Sequence, residues 1–134
     1  MAVASPGKVN ASNNWYVSIY SRVGGSVAWQ SVNLTVPTAS ALSTPSAPPS
    51  IAVALSGDGS CLVVGFTGWN GGVQSFTASG NTWTSEQVLS GDDGGLVGAS
   101  VSMSFDGMVV AYGAPAGLVA GYVAVFSKTN KMCV

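Results

Sequence analysis

GASVSMSFDGMVVAYGAPAGLVAGYVAVFSK, residues Gly98 to Lys128, decides the fold. It predicts three short β-strands: Ser100 to Phe105, Met108 to Tyr112 and Tyr122 to Ser127. Asp106-Gly107 joins the first two. A two-residue Asp-Gly loop suits a type I′ hairpin, whose central residues both need positive φ. The same order recurs upstream in Ser50 to Thr77, SIAVALSGDGSCLVVGFTGWNGGVQSFT: a strand, Asp58-Gly59, a second strand, a glycine-bearing loop, and a third strand ending on Phe76. The two Asp-Gly pairs, at 58 and 106, stand 48 residues apart.

Working outward, the rest of the chain is read as copies of this unit. Ala2 to Ser5 aligns with Val63 to Phe66 and with Val110 to Gly113. Trp15 to Arg22, WYVSIYSR, alternates as a half-buried strand does. Tyr20, Phe76 and Phe126 hold one place in their units, each before a polar turn. Outer strands follow at Ala28 to Thr35, at Thr82 to Leu89 and in a stub, Met132 to Val134. Trp29 and Trp83 match in position, as do Leu34 and Leu89, and we read the tryptophans as packing between units. This gives units of about 1–36, 50–89 and 98–134, with three, four and four strands. The first unit lacks its first strand. Pro37 to Pro49, PTASALSTPSAPP, is a linker of extended or polyproline character, and Ser90 to Val97 is the shorter matching connector. No stretch carries a helical period.

Composition narrows the function. Of the 134 residues 47% are hydrophobic, enough for a core in one domain, and only 7% are charged, against roughly 25% in an ordinary globular chain. A surface with so little charge tends to associate. The cations are Lys8, Arg22, Lys128 and Lys131, which form no basic patch, so nucleic acid is not an expected partner. There is no histidine, which removes Ser-His-Asp and Cys-His nucleophile systems and imidazole metal ligands. No uncharged apolar run approaches the roughly 20 residues of a membrane span. MAVASPGK has neither a basic n-region nor a long apolar h-region, so no signal peptide is expected. Cys61 and Cys133 fall at non-equivalent places in their units, and two free thiols are expected rather than a bridge.

Asp-Gly before a Val-rich strand, then Gly113-Ala114-Pro115, a Gly-rich loop and Gly121-Tyr122-Val123-Ala124-Val125-Phe126, resembles the FG-GAP repeat of integrin-α-like β-propellers. The match is closest at Gly98 to Phe126. Gly65-Phe66-Thr67-Gly68 replaces the tripeptide in the second unit and Ala4-Ser5-Pro6-Gly7 in the first. The resemblance implies four-stranded antiparallel blades, innermost strand first. It also implies an extracellular or cell-surface module that binds proteins or sugars. The expected fold is therefore all-β: four-stranded antiparallel blade-like repeats forming a partial β-propeller, or a compact β-sandwich of the same strands. Two departures stand out. Gly57-Asp58-Gly59 and Asp106-Gly107 lack the alternating acids of the family's calcium loop, and calcium wants six to eight oxygen ligands, so no metal or other cofactor is expected. A closed propeller needs about four to eight blades, and this chain encodes fewer than three.

The remaining candidates are few. Asp58 and Asp106 are read as turn formers. Asp92-Asp93 is the one acidic pair, and it lies in a glycine-flanked connector with no pocket to shift its pKa values. Trp69-Asn70, beside Gly71-Gly72, is the sugar-stacking candidate. Asn10-Ala11-Ser12 and Asn33-Leu34-Thr35 are glycosylation sequons, relevant if the protein is secreted. The expectation is no enzyme, but a structural or adhesive protein that assembles with itself or another protein through sheet edges and neutral faces. Ala2, Val3, Ala4 and Ser5 form the expected docking edge. The alternative is a carbohydrate- or protein-binding module cut from a larger extracellular propeller.

Overall fold

The computed structural model describes residues 2–5, 15–22, 28–36, 50–67, 71–90, 96–115, 120–127, 129 and 133. These form ten strands: β1 Ala2–Ser5, β2 Trp15–Ser21, β3 Gln30–Val36, β4 Ile51–Leu55, β5 Cys61–Phe66, β6 Gly72–Ser79, β7 Thr82–Ser90, β8 Ser100–Met103, β9 Val109–Ala114 and β10 Tyr122–Ser127. They build three antiparallel meanders, β1-β2-β3, β4-β5-β6-β7 and β8-β9-β10. The chain is all-β, as the period-2 patterning requires, and no sheet closes on itself.

Three strands of the third unit are described, and of the stub expected at Met132 to Val134 only Cys133 lies among the described residues. Cys133 does not extend that sheet. It lies in the core with Cys61, Val63 and Val73 of the second sheet, where its carbonyl accepts the Thr77 hydroxyl. The first unit starts one strand late, with no described equivalent of β4 or β8.

The inner strands of the second sheet, β5 and most of β6, are covered on both faces. Val17, Ile19 and Leu34 of the first sheet meet Leu62, Val64 and Phe76 on one side. Val110, Tyr112 and Ala114 of the third sheet meet Cys61, Val63 and Val73 on the other. This explains why Cys61 to Val64 is one apolar run rather than an alternation: both faces of β5 are buried. β9 alternates, because only one of its faces is covered. Tyr112 stacks on Phe126 with ring centroids 5.6 Å apart and meets Tyr122 edge-on at 6.4 Å, so the third sheet's inner face is largely aromatic.

Cys61 and Cys133 are joined by a disulfide, with Cα atoms 5.5 Å apart, which corrects the expectation of two free thiols. Comparing positions within a unit tests only bridges between equivalent strands. This bridge crosses between sheets, where the chain returns from the third unit onto the start of β5.

The turns also differ from the expected type I′ form. Gly59 N–H donates to the Ser56 carbonyl at 3.0 Å, and Ser56 N–H donates to the Cys61 carbonyl at 2.9 Å. The central pair of the turn is therefore Gly57-Asp58, and Gly59 follows it at φ 70°. Ser104 to Val109 repeats this, with Gly107 N–H on the Ser104 carbonyl at 3.0 Å and Gly107 at φ 73°. The glycine is needed at the residue after the turn, where the chain must take positive φ to re-enter the ladder.

Candidate functional site

The acidic turns come first, because they carry the carboxylates. Asp58 Oδ1 accepts from Ser56 Oγ at 2.7 Å, Ser60 N–H at 3.1 Å and Ser60 Oγ at 2.8 Å. Ser56 Oγ in turn accepts the Cys61 N–H at 3.0 Å. In the third unit Asp106 Oδ1 accepts from Ser104 Oγ at 2.6 Å and Met108 N–H at 3.0 Å, while Ser104 Oγ accepts the Val109 N–H at 2.9 Å. Each acid thus closes a Ser-x-Asp-Gly-x loop from within. The two loops also touch, since Gly57 N–H donates to the Phe105 carbonyl at 2.8 Å. Sequence reading identified the aspartates as turn formers. It missed Ser56 and Ser104, whose shared 48-residue offset would have revealed them.

A cleft of about 370 Å³ opens where the first and second sheets meet. Trp29, Trp83, Arg22, Asp58 and Asn81 are among its lining residues. Trp83 leans on the core between the two sheets, as expected of a packing tryptophan. Trp29 does not. It is 53% exposed, and the Arg22 guanidinium lies 5.5 Å from its ring centroid. The two matched tryptophans therefore share a cleft rather than a role: Trp83 lies within β7, while Trp29 precedes β3.

The third feature is the outward face of the third sheet. Val123 is 72% exposed and Val125 65%. Register places Val123 opposite Gly113 and Val125 opposite Ala111, with Val109 beside them. No charged residue stands on β8, β9 or β10.

The other predicted residues fall as follows. Trp69, Asn70, Asn10, Asp92, Asp93 and the linker at 37–49 lie outside the described residues. Asn33 is exposed in the middle of β3, and its Oδ1 accepts the Ser18 hydroxyl at 2.7 Å. Ala2, Val3, Ala4 and Ser5 form β1, the strand at one edge of the first sheet. Among the described residues no group of three or more acid, cysteine or histidine side chains converges, and no helix is long and apolar enough to cross a membrane.

Compared with known proteins, the chain matches no family model, no curated sequence and no solved structure at a significant level.

Proposed function

We propose that this protein is a non-catalytic structural or adhesive component that assembles with itself through sheet edges and neutral faces, its sheets being blade-like units of a partial FG-GAP-type propeller. One observation carries the reading: none of the three sheets closes, and the last leaves aliphatic side chains of β10 facing out. Unpaired strand edges are templates for pairing with another chain, and proteins ordinarily guard them with charge. Here the guard is thin, with four cationic and five acidic residues in the whole chain. The Cys61–Cys133 bridge suits an oxidising compartment, which supports an extracellular or surface location.

Light scattering on the purified protein tests this. Ordered rings, sheets or small oligomers are the expected result. A stable monomer at high concentration would sink the reading, and amorphous precipitate would favour a fragment of a longer propeller. If assembly runs through the β1 edge, Ser5→Lys blocks it while leaving the second sheet folded.

The Trp29–Trp83 cleft favours a second reading, a glycan-binding module. Two indole faces beside Arg22, Asp58 and Asn81 offer apolar plates with polar groups converging on them. On a glycan array this reading expects hits that Trp29→Ala abolishes. A blank array, or hits unmoved by that substitution, counts against it.

A further inference from the structure

The three units are covered in a fixed sense. In the second sheet Leu62, Val64 and Phe76 face the first unit, while Val63 and Val73 face the third. In the third sheet Val110 and Tyr112 stand at the positions of Leu62 and Val64, and they face the second unit. The opposite face follows the same alignment. Val63 pairs with Ser75 and Gly65 with Val73, as Ala111 pairs with Val125 and Gly113 with Val123. Val123 is therefore the counterpart of Val73. Val73 is 0% exposed beneath the third sheet, and Val123 is 72% exposed. The sequence keeps valine at a position whose counterpart is covered by another sheet of this kind.

The two ends of the stack differ. The outward face of the first sheet carries Ser18, Tyr20, Ser31 and Asn33, with the Ser18 hydroxyl on Asn33 Oδ1. It is dressed for water, as terminal units of repeat proteins are. The outward face of the third sheet is dressed for water mainly along β8, where Ser100 and Ser102 stand in place of Ala52 and Ala54. Along β9 and β10 it is aliphatic at Val109, Ala111, Val123 and Val125, with Ser127 opposite Val109 at its end. A cleft of about 580 Å³ lined by Ala99, Gly113, Pro115, Tyr122 and Val123 continues it at one end.

We infer that this β9–β10 face is a docking surface for a second copy of the chain, pairing face to face with its own counterpart about a two-fold axis. The inference rests on the assembly reading and narrows it from edges to one face. The partner is a sheet of the same kind, because that is what covers the equivalent face inside the molecule. It is the third sheet rather than the first, for chemical reasons. A head-to-tail stack would bury Asn33 and Ser18 against valines and leave the Asn33 amide donors without acceptors. Two β9–β10 faces meet through valine and alanine, with Ser127 and the β8 serines at the margin where their hydroxyls keep water, and neither face carries a charge to repel the other. An isologous contact also closes on itself, so assembly through it stops at two. Two strands of about six residues present a face roughly 20 Å long and 10 Å wide. That is well below a standard interface, so the dimer is concentration-dependent.

Sedimentation equilibrium across a concentration series, on wild type, Val123→Lys/Val125→Lys and Ser18→Lys, tests the inference. The expected result is a monomer–dimer equilibrium for wild type and Ser18→Lys, and a monomer throughout for the double variant. Methyl NMR of wild type on dilution gives a reading that needs no substitution: Val123 and Val125 shift, while Val17 and Val73 do not. Association that the double variant retains, with unmoved Val123 and Val125 methyls, overturns this face and leaves the assembly reading intact. Open-ended growth, or loss of association in Ser18→Lys, overturns the two-fold arrangement. A wild type that is monomeric at every concentration overturns both.

Discussion

Asp58 and Asp106 decide how the chemistry of this chain is read, because an acid in a glycine loop invites a metal or catalytic role. In each carboxylate the oxygen Oδ1 is already occupied. Three donors converge on Asp58 Oδ1 and two on Asp106 Oδ1, all from within the loop itself. Their role is to hold Ser56 and Ser104, whose hydroxyls take the first backbone N–H of the following strand. Asp58→Ala removes an ionised acceptor and lets Ser56 turn away from Cys61. We expect it to destabilise the fold by about 1–2 kcal/mol, the usual range for charge-assisted hydrogen bonds. Asp58→Asn keeps the acceptor oxygen and is expected to lose less. Calcium at millimolar levels is expected to leave the melting temperature of wild type unchanged. A calcium-dependent rise that Asp58→Ala abolishes would show that the loop is a cation site and not a turn clasp.

At the scale of the element, how much was legible depended on how local the cause was. The runs 15–22, 82–89, 100–105 and 122–127 were readable as strands, because period-2 patterning and turn residues act within a few positions. The hairpin type was not. The Ser-x-Asp-Gly-x loop looks like a two-residue Asp-Gly turn until the serine hydroxyl is seen to replace a ladder acceptor. Gln74 was equally opaque: it lies 3% exposed where β6 and β7 slip register, with Nε2 on Ser85 Oγ and Oε1 unpaired. No periodic pattern announces a bulge. Gly65 was legible as part of a glycine motif, but its cause lies between sheets. A Cβ there meets the Gly98 carbonyl oxygen and comes within 2.7 Å of Val101 Cγ1. Gly57 faces only the ring of Phe105, which is 84% exposed and has room to swing aside. Gly65→Ala is therefore expected to cost about 3 kcal/mol, at the upper end for overpacking, and Gly57→Ala about 1 kcal/mol or less. Chemical denaturation of the two variants checks the order, and equal losses would mean that Gly98 can retreat as freely as Phe105.

Across the whole molecule, what could not be read from the sequence was how one unit touches the next, and the disulfide is the clearest case. Nothing in the spacing of Cys61 and Cys133 shows that the chain returns from the third sheet to the second. Only their joint burial with Val73, Val110 and Tyr112 does. The bridge joins residues 72 apart in sequence. Closing a loop of that length in the unfolded chain is worth about 4 kcal/mol in the entropic model, and engineered bridges often return less. It also ties the third unit, whose sheet has three strands among the described residues and one open face, to the better-covered second sheet. Both half-cystines are at most 1% exposed, so a mild reductant acts only through opening of the structure. The informative comparison is therefore equilibrium unfolding with and without reductant, beside a Cys61→Ser/Cys133→Ser variant. We expect reduction and the double substitution to lower stability alike, by about 2–4 kcal/mol. Dye binding should rise as the aromatic inner face of the third sheet, Tyr112 and Phe126, loosens from the second. Because the outward face of β9 and β10 takes no part in the bridge, self-association measured below the unfolding midpoint is expected to persist. A thiol assay in denaturant that finds two reactive cysteines in the native-purified protein would remove the bridge. The third unit would then be held by apolar contact alone, and the same loosening should appear without any reductant.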